Sequence, residues 1–376
     1  IIEILNDPRH DLEKAAQLIC QNAAELGSPD NLTTQIVRVD TIPQGTTGEL
    51  LSRLTDLPSP PPLQTGGEMD GYRILKALQT THRSQVYLAR DVTTNAKVVI
   101  KIPSTETLQD KTRLERFVNE EWVARRINNP HVVSAYSPNR PKHFNYIVME
   151  FIDGMTLTRW MANHPRARLE RVLPIVDQIV KGARAFHRQD MIHQDIRPDN
   201  ILIDDNDRVT IVDLGSAKVG GITDSAGLTD DAAELVTEQY AAPEYFLGGS
   251  GSSRADIYSV GVIAYQMLTG TLPYGTQIPS ARTRRAQRRI GYTPALTHNR
   301  ELPAWIDGAL RKAVHIDPNK RYVEISEFAY DLHNPRREFL KPGRPPLAER
   351  NPERFWKAVS LILLMITGVL LYFDLQ

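Results

Sequence analysis

Short apolar runs come first in the central part of the chain, and helical apolar spacing follows them. The runs VYLARD and KVVIKIP, joined through VTTNA, predict a β-hairpin, and NYIVMEFI predicts a third strand. Farther on, apolar residues recur every three or four positions from Leu169 to Phe186, and ADIYSVGVIAYQMLTG is apolar almost all round. The pattern predicts an α+β fold with two lobes, a β-rich small lobe followed by an α-helical large lobe.

Two stretches rich in Pro, Gly, Ser and Thr bound this central part. They lie at residues 41–71 and 334–353, and neither shows helical or strand periodicity. Residues 72–333 between them have a suitable length for one two-lobed domain. The sequence therefore predicts an N-terminal remnant (1–40), a linker, a domain, a second linker and an apolar C-terminal segment (354–373).

The C-terminal segment differs in kind from the rest of the chain. Residues 358–373, AVSLILLMITGVLLYF, carry no charge, and as a helix they would span about 24 Å of a hydrocarbon layer about 30 Å thick. Arginine and lysine residues precede them, so the positive-inside rule keeps the larger part of the chain in the cytoplasm. We predict a single-pass transmembrane helix in the cytoplasmic membrane; a buried core helix is the alternative.

Composition narrows the classes of protein to consider. With 376 residues, 41% of them hydrophobic, the chain is long enough for a globular core. Its 45 basic residues match its 45 acidic ones, which argues against a nucleic-acid partner. The one cysteine, Cys20, cannot form an intrachain disulfide, which favours a reducing compartment. Ile1 stands where a methionine would begin a complete chain, so we expect the sequence to start inside a longer protein.

Polar side chains interrupt the apolar runs where strands are expected to end. The stretch MIHQDIRPDNILI sets Asp195 and Asn200 between apolar blocks, and Asp213 follows in VTIVDLGSAK. Carboxylate and amide oxygens are the ligands that Mg²⁺ and phosphate chemistry require. Hydrogen bonding within turns, by Asp195 and Asp199, is the alternative.

Seven motifs, in order along the chain, resemble those of protein kinases. HQDIRPDN resembles the catalytic loop, DLG the magnesium-binding triplet and AAPE the end of the activation segment. VVIK resembles the strand that carries a phosphate-binding lysine, here Lys101, and Glu120 falls where its helical partner should lie. Asp256 resembles the aspartate that braces the catalytic loop, and Arg321 resembles the arginine that pairs with Glu244. The resemblance implies a two-lobed protein-kinase-like fold.

The resemblance also implies a catalytic role for four residues. Asp195 would orient the proton of the substrate hydroxyl, and Arg197 would stabilise the charge that develops on the γ-phosphate. Lys101, paired with Glu120, would anchor the α- and β-phosphates. Glu121 is the alternative partner, since adjacent helical residues point about 100° apart and only one can face inward.

ATP and magnesium are the implied cofactors. Asn200 and Asp213 would hold the metal ion. The residues expected around the nucleotide are apolar side chains, the anchoring lysine and backbone groups after the third strand: Leu78, Val86, Val99, Lys101, Met149, Leu202, Glu150 and Ile152. Each apolar one could equally be plain core.

The phosphate-binding loop departs from the family pattern. The family has G-x-G-x-x-G before its valine, whereas this chain has LQTTHRSQV, with Gln79, Thr81 and Ser84 at the glycine positions. Glycine lets backbone amides approach phosphates without a Cβ clash. Either the loop sits higher, or the side chains of Thr81, Arg83 and Ser84 replace the amide contacts.

The activation segment departs from the pattern as well. Gln194 replaces the arginine before Asp195 that would pair with a phosphorylated loop, and residues 220–238 are acidic, so phosphorylation is not expected to be the switch. The cation at Arg197, together with Thr237 in TEQYAAPE, resembles serine/threonine kinases more than tyrosine kinases. A protein substrate is the implied partner, and its identity is not readable from the sequence.

The N-terminal segment carries a second, shorter resemblance. DLEKAAQLICQNAAELGSPDNLTTQIVRV predicts a helix, a turn and a strand, and it is similar to the closing segment of PPM-type phosphatases, with Asp30 at a metal-binding position. The chain is therefore expected to be the C-terminal part of a bifunctional phosphatase and kinase. Two functions stay open: an active, membrane-tethered serine/threonine kinase, and a pseudokinase that binds nucleotide and acts as a scaffold or regulates the attached phosphatase.

Overall fold

The computed structural model of the chain divides into two units, Ile1–Ser52 and Arg53–Gln376. The residues whose structure is described are 11–28, 32–36, 57–136, 138, 140–219, 238–336, 338–339, 356–357, 359–360, 363 and 365.

The N-terminal unit contains one described helix, α1 (Leu12–Glu25). The Asp11 carboxylate caps it by accepting the Lys14 backbone N–H at 2.7 Å, which confirms the predicted helix. Residues 32–36, where a strand is expected, lie in neither a helix nor a strand. A strand requires a neighbour to pair with, and the described residues of this unit include none. The remainder of the expected strand, 37–39, lies outside the described residues.

A five-stranded antiparallel sheet forms the small lobe of the second unit. Its strands follow one another in sequence order: β1 (Glu68–Met69), β2 (Tyr72–Thr80), β3 (Ser84–Asp91), β4 (Lys97–Pro103) and β5 (Ile147–Glu150). This confirms the predicted hairpin and third strand. In β4, Val98 and Ile100 are fully buried in the core of the lobe, while Val99 and Lys101 are half-buried on the opposite face.

The small lobe begins earlier than the sequence predicts. Met69 is buried in the core of the sheet, and the backbone N–H of Asn145 donates to the carbonyl of Pro58 at 2.9 Å. Residues 57–71, expected as linker, therefore pack against the lobe. Their glycine content has a local cause, because Gly66 and Gly71 adopt φ values of +86° and +76° that favour glycine.

Two helices follow β4, namely α2 (Thr105–Gln109) and α3 (Lys111–Arg126). The Asp110 carboxylate caps α3 by accepting the N–H groups of Thr112 and Arg113. Phe117 and Val123 of α3 pack in a cluster with apolar residues of β5 and of the large lobe. The helix is thereby fixed against both lobes.

Helices dominate the large lobe. Its elements are β6 (Gly154–Thr156), α4 (Leu157–Asn163), α5 (Leu169–His187), β7 (Met191–Ile192), β8 (Ile201–Asp204), β9 (Val209–Ile211), β10 (Lys218–Val219), α6 (Ser253–Thr269), α7 (Arg284–Gln287), α8 (Ala295–His298), α9 (Ala304–Ala313) and α10 (Ile325–His333). Fourteen of the 17 residues of α6 are buried, as its all-round apolar pattern predicts. The predicted two-lobed α+β fold is confirmed.

Short strands in the large lobe hold the polar loops in place. Strands β6, β8 and β9 form one antiparallel sheet, and β7 pairs with β10. The loop that carries Asp195 and Asn200 connects β7 to β8, and Asp213 lies two residues beyond β9. Asn200 and Asp213 therefore lie at the ends of the paired strands β8 and β9, and Asp195 follows β7.

Within the part of the chain that the structure describes, no helix has the length and apolar character needed to cross a membrane. The predicted transmembrane helix lies at residues 354–373, of which only 356–357, 359–360, 363 and 365 are described. The acidic loop 220–237 also lies outside the described residues.

Candidate active site

Lys101 joins two carboxylates that come from distant parts of the chain. Its Nζ donates to Glu120 Oε2 at 2.7 Å and to Asp213 Oδ1 at 3.0 Å. Lys101 lies on β4, Glu120 on the buried face of α3 and Asp213 just after β9. The predicted pairing of Lys101 with Glu120 is confirmed, and the small lobe is linked to the large lobe through charges.

Burial and pairing set the protonation of these three groups. Burial opposes the charged form of Lys101, but Asp213 and Glu120 raise its pKa above the ordinary value. Lys101 in turn lowers the pKa of Asp213. Burial raises the pKa of Glu120 to about 7, against the opposing effect of Lys101. Lys101 and Asp213 are therefore held as an ion pair near neutral pH.

Glu121, the alternative partner of Lys101, faces elsewhere. Its carboxylate accepts from Arg125 at 2.6 Å and from Lys142 at 2.7 Å. The backbone of α3 turns the two neighbouring glutamates to different sides. The alternative pairing is therefore wrong.

The loop after β7 brings three more predicted residues together. The Asn200 side-chain amide donates to Asp195 Oδ2 at 2.9 Å and to the Asp195 carbonyl at 3.0 Å. Arg197 Nε lies 3.5 Å from Asp195 Oδ2. Burial raises the pKa of Asp195 to about 6, and Arg197 counteracts this rise. Asp195 therefore has a pKa closer to neutrality than an ordinary aspartate, as suits a general base.

A buried aspartate fixes the backbone of this loop. Asp256, on α6, accepts the backbone N–H groups of His193 and Gln194 at 3.0 Å each, and its Oδ2 lies 2.8 Å from His187 Nε2. Gln194 has a φ of +67°, which is unfavourable for a residue with a side chain. The two hydrogen bonds that the loop donates to Asp256 hold Gln194 in that conformation, as the resemblance implies.

A second charged pair supports the end of the activation segment. Arg321 donates from Nη1 and Nη2 to the two carboxylate oxygens of Glu244, at 2.8 and 2.7 Å. The Arg321 side chain is fully buried. A bidentate fork of this kind is the strong form of such a pair, and it confirms the predicted pairing.

The oxygens of Asn200 and Asp213 fit a magnesium ion. Asn200 uses its amide nitrogen on Asp195, which leaves Oδ1 for a cation, and Asp213 uses Oδ1 on Lys101, which leaves Oδ2. No group of three or more histidine, cysteine or acidic residues that could hold a metal occurs among the described residues. Magnesium in phosphoryl-transfer sites commonly takes one or two protein oxygens and completes its shell with water and phosphates.

The residues expected around the adenine are not plain core. Val86, Val99, Leu202 and Ile152 are half-buried, and Leu78 is 43% exposed, whereas the residues of the hydrophobic cores are buried. Val86 pairs directly with Lys101 in the sheet. Val86 and Val99 therefore lie beside Lys101 on the half-buried face of the sheet.

Met149, which pairs with Val99 in the sheet, is more enclosed than its neighbour Glu150. Met149, expected at the back of the pocket, is 7% exposed. The N–H of Glu150 donates to the carbonyl of Ser134 at 3.0 Å.

The loop between β2 and β3 uses its own side chain to satisfy its amides. Thr81 Oγ1 accepts the backbone N–H groups of Arg83 and Ser84 at 3.2 and 3.1 Å. The N–H of Thr81 donates to the Ser84 carbonyl at 2.9 Å. These amides, which a glycine-rich loop would direct at phosphates, are committed within the loop.

Two residues that sequence reasoning missed hold this loop from outside. Ser104 donates from Oγ to the His82 carbonyl at 2.5 Å and from its backbone N–H to the Arg83 carbonyl at 2.9 Å. Thr107 Oγ1 donates to the same Arg83 carbonyl at 2.7 Å. Ser104 also caps α2, and a serine before a short polar helix is the one sequence signal that could have identified it.

Comparison with known proteins gives one family and several relatives. The family model described as "Protein kinase domain" matches residues 72–329. The serine/threonine-protein kinase PrkC of Bacillus subtilis is 30% identical over 263 residues, which cover 69% of this chain and 40% of PrkC. The serine/threonine-protein kinase PknB of Mycobacterium tuberculosis is 30% identical over 289 residues, covering 75% of this chain and 44% of PknB. The chain thus spans about two fifths of the length of these curated relatives.

A solved structure gives the same fold. The crystal structure of the Mycobacterium tuberculosis PknI kinase domain has a TM-score of 0.54 and 24% identity, covering 72% of this chain and 99% of that chain. Identity at this level shows a shared fold.

The pKa of Asp195 gives a prediction about pH. We expect its carboxyl group to titrate near pH 6, so that it is ionised at pH 7 and protonated at pH 5. In Arg197→Ala, which removes a cation that favours the carboxylate, the midpoint should move to higher pH. Carboxyl-carbon NMR of aspartate-labelled protein measures both midpoints, with Asp195→Asn to assign the signal. A midpoint near pH 4 in the unchanged protein, or a downward shift in Arg197→Ala, would contradict this account.

Proposed function

Since the chain belongs to the protein kinase family, we propose that it transfers the γ-phosphoryl group of ATP to serine or threonine hydroxyls of a protein substrate. The observation that carries this proposal is the contact of Lys101 with both Glu120 and Asp213. In the proposed reaction, these groups hold the nucleotide phosphates beside the loop of Asp195. The relatives PrkC and PknB, whose names include serine/threonine-protein kinase, support the choice of hydroxyl.

The residues divide the chemistry among them. Asp195 orients the substrate hydroxyl and accepts its proton, for which a pKa raised to about 6 is well suited. Arg197, 3.5 Å from Asp195, neutralises charge that develops on the transferred phosphoryl group. Lys101 holds the α- and β-phosphates, and Asn200 and Asp213 would hold magnesium. A bound magnesium ion would neutralise phosphate charge.

The nucleotide base would lie against the exposed side chain of Leu78 and the half-buried side chains of Val86, Val99 and Leu202. The backbone carbonyl of Glu150 and the backbone of Ile152 would bind its polar edge. This arrangement would place the triphosphate toward Lys101, because Val86 lies opposite Lys101 in the sheet.

The pseudokinase alternative is not favoured. The glycine-free loop raised the expectation of a pseudokinase. However, Lys101 contacts both Glu120 and Asp213, and Asn200 contacts Asp195. These five residues are the charged and polar groups that phosphoryl transfer requires.

Two finer features, a membrane anchor and a phosphatase remnant, are also part of the proposal. The uncharged run of residues 358–373 motivates a single-pass anchor in the cytoplasmic membrane, with the kinase domain in the cytoplasm. The resemblance around Asp30 motivates residues 1–40 as the end of a PPM-type phosphatase domain. If the coding sequence upstream of Ile1 lacks the metal-binding aspartates of PPM-type phosphatases, the proposed phosphatase domain is contradicted.

Anchoring predicts that the full chain binds lipid vesicles and that a chain ending at Glu353 does not. Sedimentation with neutral vesicles measures this directly, because an apolar helix does not require anionic lipid. Equal sedimentation of the two chains would contradict the anchor.

Replacement of single carboxylates tests the transfer reaction. With magnesium and γ-labelled ATP, the full chain should label itself or a generic basic protein. Asp195→Asn and Asp213→Asn should each reduce the rate by about 100-fold or more, since one removes the base and the other a metal ligand. Asp199→Asn is the matched control in the same loop, because Asp199 is exposed and bonds only Thr158 among described contacts; it should retain most of the activity.

The outcomes separate the two functions. Labelling by the unchanged chain and the control, but not by the other two variants, establishes the kinase. Equal labelling by Asp195→Asn would mean that another enzyme is responsible, and no labelling with nucleotide binding intact would restore the pseudokinase.

A further inference from the structure

Five arginines occur close together along one segment of the large lobe, between α6 and α8. All five are exposed, and we call them the arginine surface: Arg282, Arg284, Arg285, Arg288 and Arg289. The backbone N–H of Arg288 donates to the carbonyl of Arg284 at 3.1 Å, so one helical turn separates these two residues. Positive charge is therefore concentrated on one short stretch of the chain.

Within the part of the chain that the structure describes, no carboxylate pairs with the arginine surface. By contrast, the exposed Arg125 of α3 lies 2.6 Å from Glu121 on its own helix. The sequence supplies the reason, because no aspartate or glutamate occurs between Asp256 and Glu301. Like charges one helical turn apart repel each other. The arginine surface thus lacks the anionic partner that its charge favours.

Two contacts hold this segment against the end of the activation segment. Gln287, buried in the middle of the segment, donates from Nε2 to the Pro243 carbonyl at 2.7 Å. The guanidinium carbon of Arg282 lies 5.1 Å from the centre of the Phe246 ring. Pro243 and Phe246 both belong to the short 3-10 helix that begins within the AAPE motif. The position of the arginine surface is therefore fixed relative to that motif.

The same stretch of chain also contacts the catalytic loop. Gln194, next to Asp195, donates from Nε2 to the Ser250 carbonyl at 3.2 Å. Residues 243–250 thus contact both the loop of the proposed base and the segment of the arginine surface. In the proposed reaction, a protein that presents its hydroxyl to Asp195 lies beside this stretch, so that a further part of it can extend onto the arginine surface.

Resting on the proposed kinase function, we propose that the arginine surface docks an acidic segment of the protein substrate, one rich in aspartate and glutamate. All five cations are arginines, and each guanidinium is a planar fork that can bind a carboxylate through two hydrogen bonds. Docking at a distance from the hydroxyl lowers KM and leaves kcat unchanged. A protein without such a segment is still phosphorylated, but with a higher KM.

Matched peptides test the docking. Each peptide carries one serine, a glycine linker of graded length and a terminal block of either glutamates or glutamines. With the full chain, the glutamate peptide should have a KM about tenfold lower than the glutamine peptide, because several exposed ion pairs of modest strength act together. Added salt should reduce this difference, since it screens exposed charges. Fluorescence anisotropy of the labelled peptides measures the same preference in Kd without turnover.

The variant is Arg284→Ala/Arg285→Ala/Arg288→Ala/Arg289→Ala. It should bind the two peptides equally, while its kcat on the glutamine peptide stays at that of the unchanged chain. This retained kcat also shows that the variant is folded.

The matched control removes four exposed cations on and next to α5: Arg171→Ala/Lys181→Ala/Arg184→Ala/Arg188→Ala. Both fourfold variants lose the same charge from the large lobe. The control should keep the full preference for the glutamate peptide. The comparison therefore separates docking at the arginine surface from a general effect of net charge.

The inference is overturned if the unchanged chain treats the two peptides equally, or if the Arg284 fourfold variant keeps the preference. If that variant keeps the preference but loses binding to phosphatidylserine vesicles relative to neutral ones, the surface binds a membrane. If it keeps the preference but changes the oligomeric state, the surface binds a second copy of the chain.

The outcomes also separate this inference from the proposed kinase function. If both peptides are phosphorylated with the same KM, the inference alone fails. If the glutamate peptide binds through the arginine surface but neither peptide is phosphorylated, the kinase function alone fails and the docking of acidic protein segments stands.

Discussion

The half-buried ammonium of Lys101 is the group on which the rest of the site depends. Removing a charge from water costs several kcal/mol in effective terms, and here two carboxylates at 2.7 and 3.0 Å offset that cost. Each of the three groups comes from a different element, so the pairing is satisfied only when β4, α3 and the segment after β9 are together. The same contact that stabilises the charge thereby assembles the phosphate-binding side of the cleft.

The large lobe supplies the complementary side by the same means. Asp256 is fully buried, and two loop amides and His187 surround it. Arg321 and Glu244 close a second buried contact. Buried polar groups that find partners make a loop rigid, which is what the unfavourable φ of Gln194 and the placement of Asp195 require. Catalytic geometry in this chain is therefore a consequence of charges buried for structural reasons.

Much of this arrangement could be predicted from the sequence, because it depends on periodicity and on the order of motifs. The hairpin and the two long helices follow from the spacing of apolar residues, and the place of Glu120 follows from the resemblance to the kinase motifs. The packing of residues 57–71 against the sheet could not be predicted, because proline and glycine serve equally in linkers and in tight turns. The role of Ser104 and Thr107 was missed since it depends on a contact across about 20 residues of sequence, which no local pattern records.

The two neighbouring glutamates of α3 test most directly whether the charged contact at Lys101 organises the site. The measurement is kcat for phosphate transfer by Glu120→Gln and Glu121→Gln in the full chain. Glu120→Gln should lower kcat by about 100-fold, because Lys101 loses its fixed position relative to the phosphates. Glu121→Gln, which alters only the contacts to Arg125 and Lys142, should leave kcat near that of the unchanged chain. An equal loss of kcat in the two variants would contradict this role of the Lys101 contact.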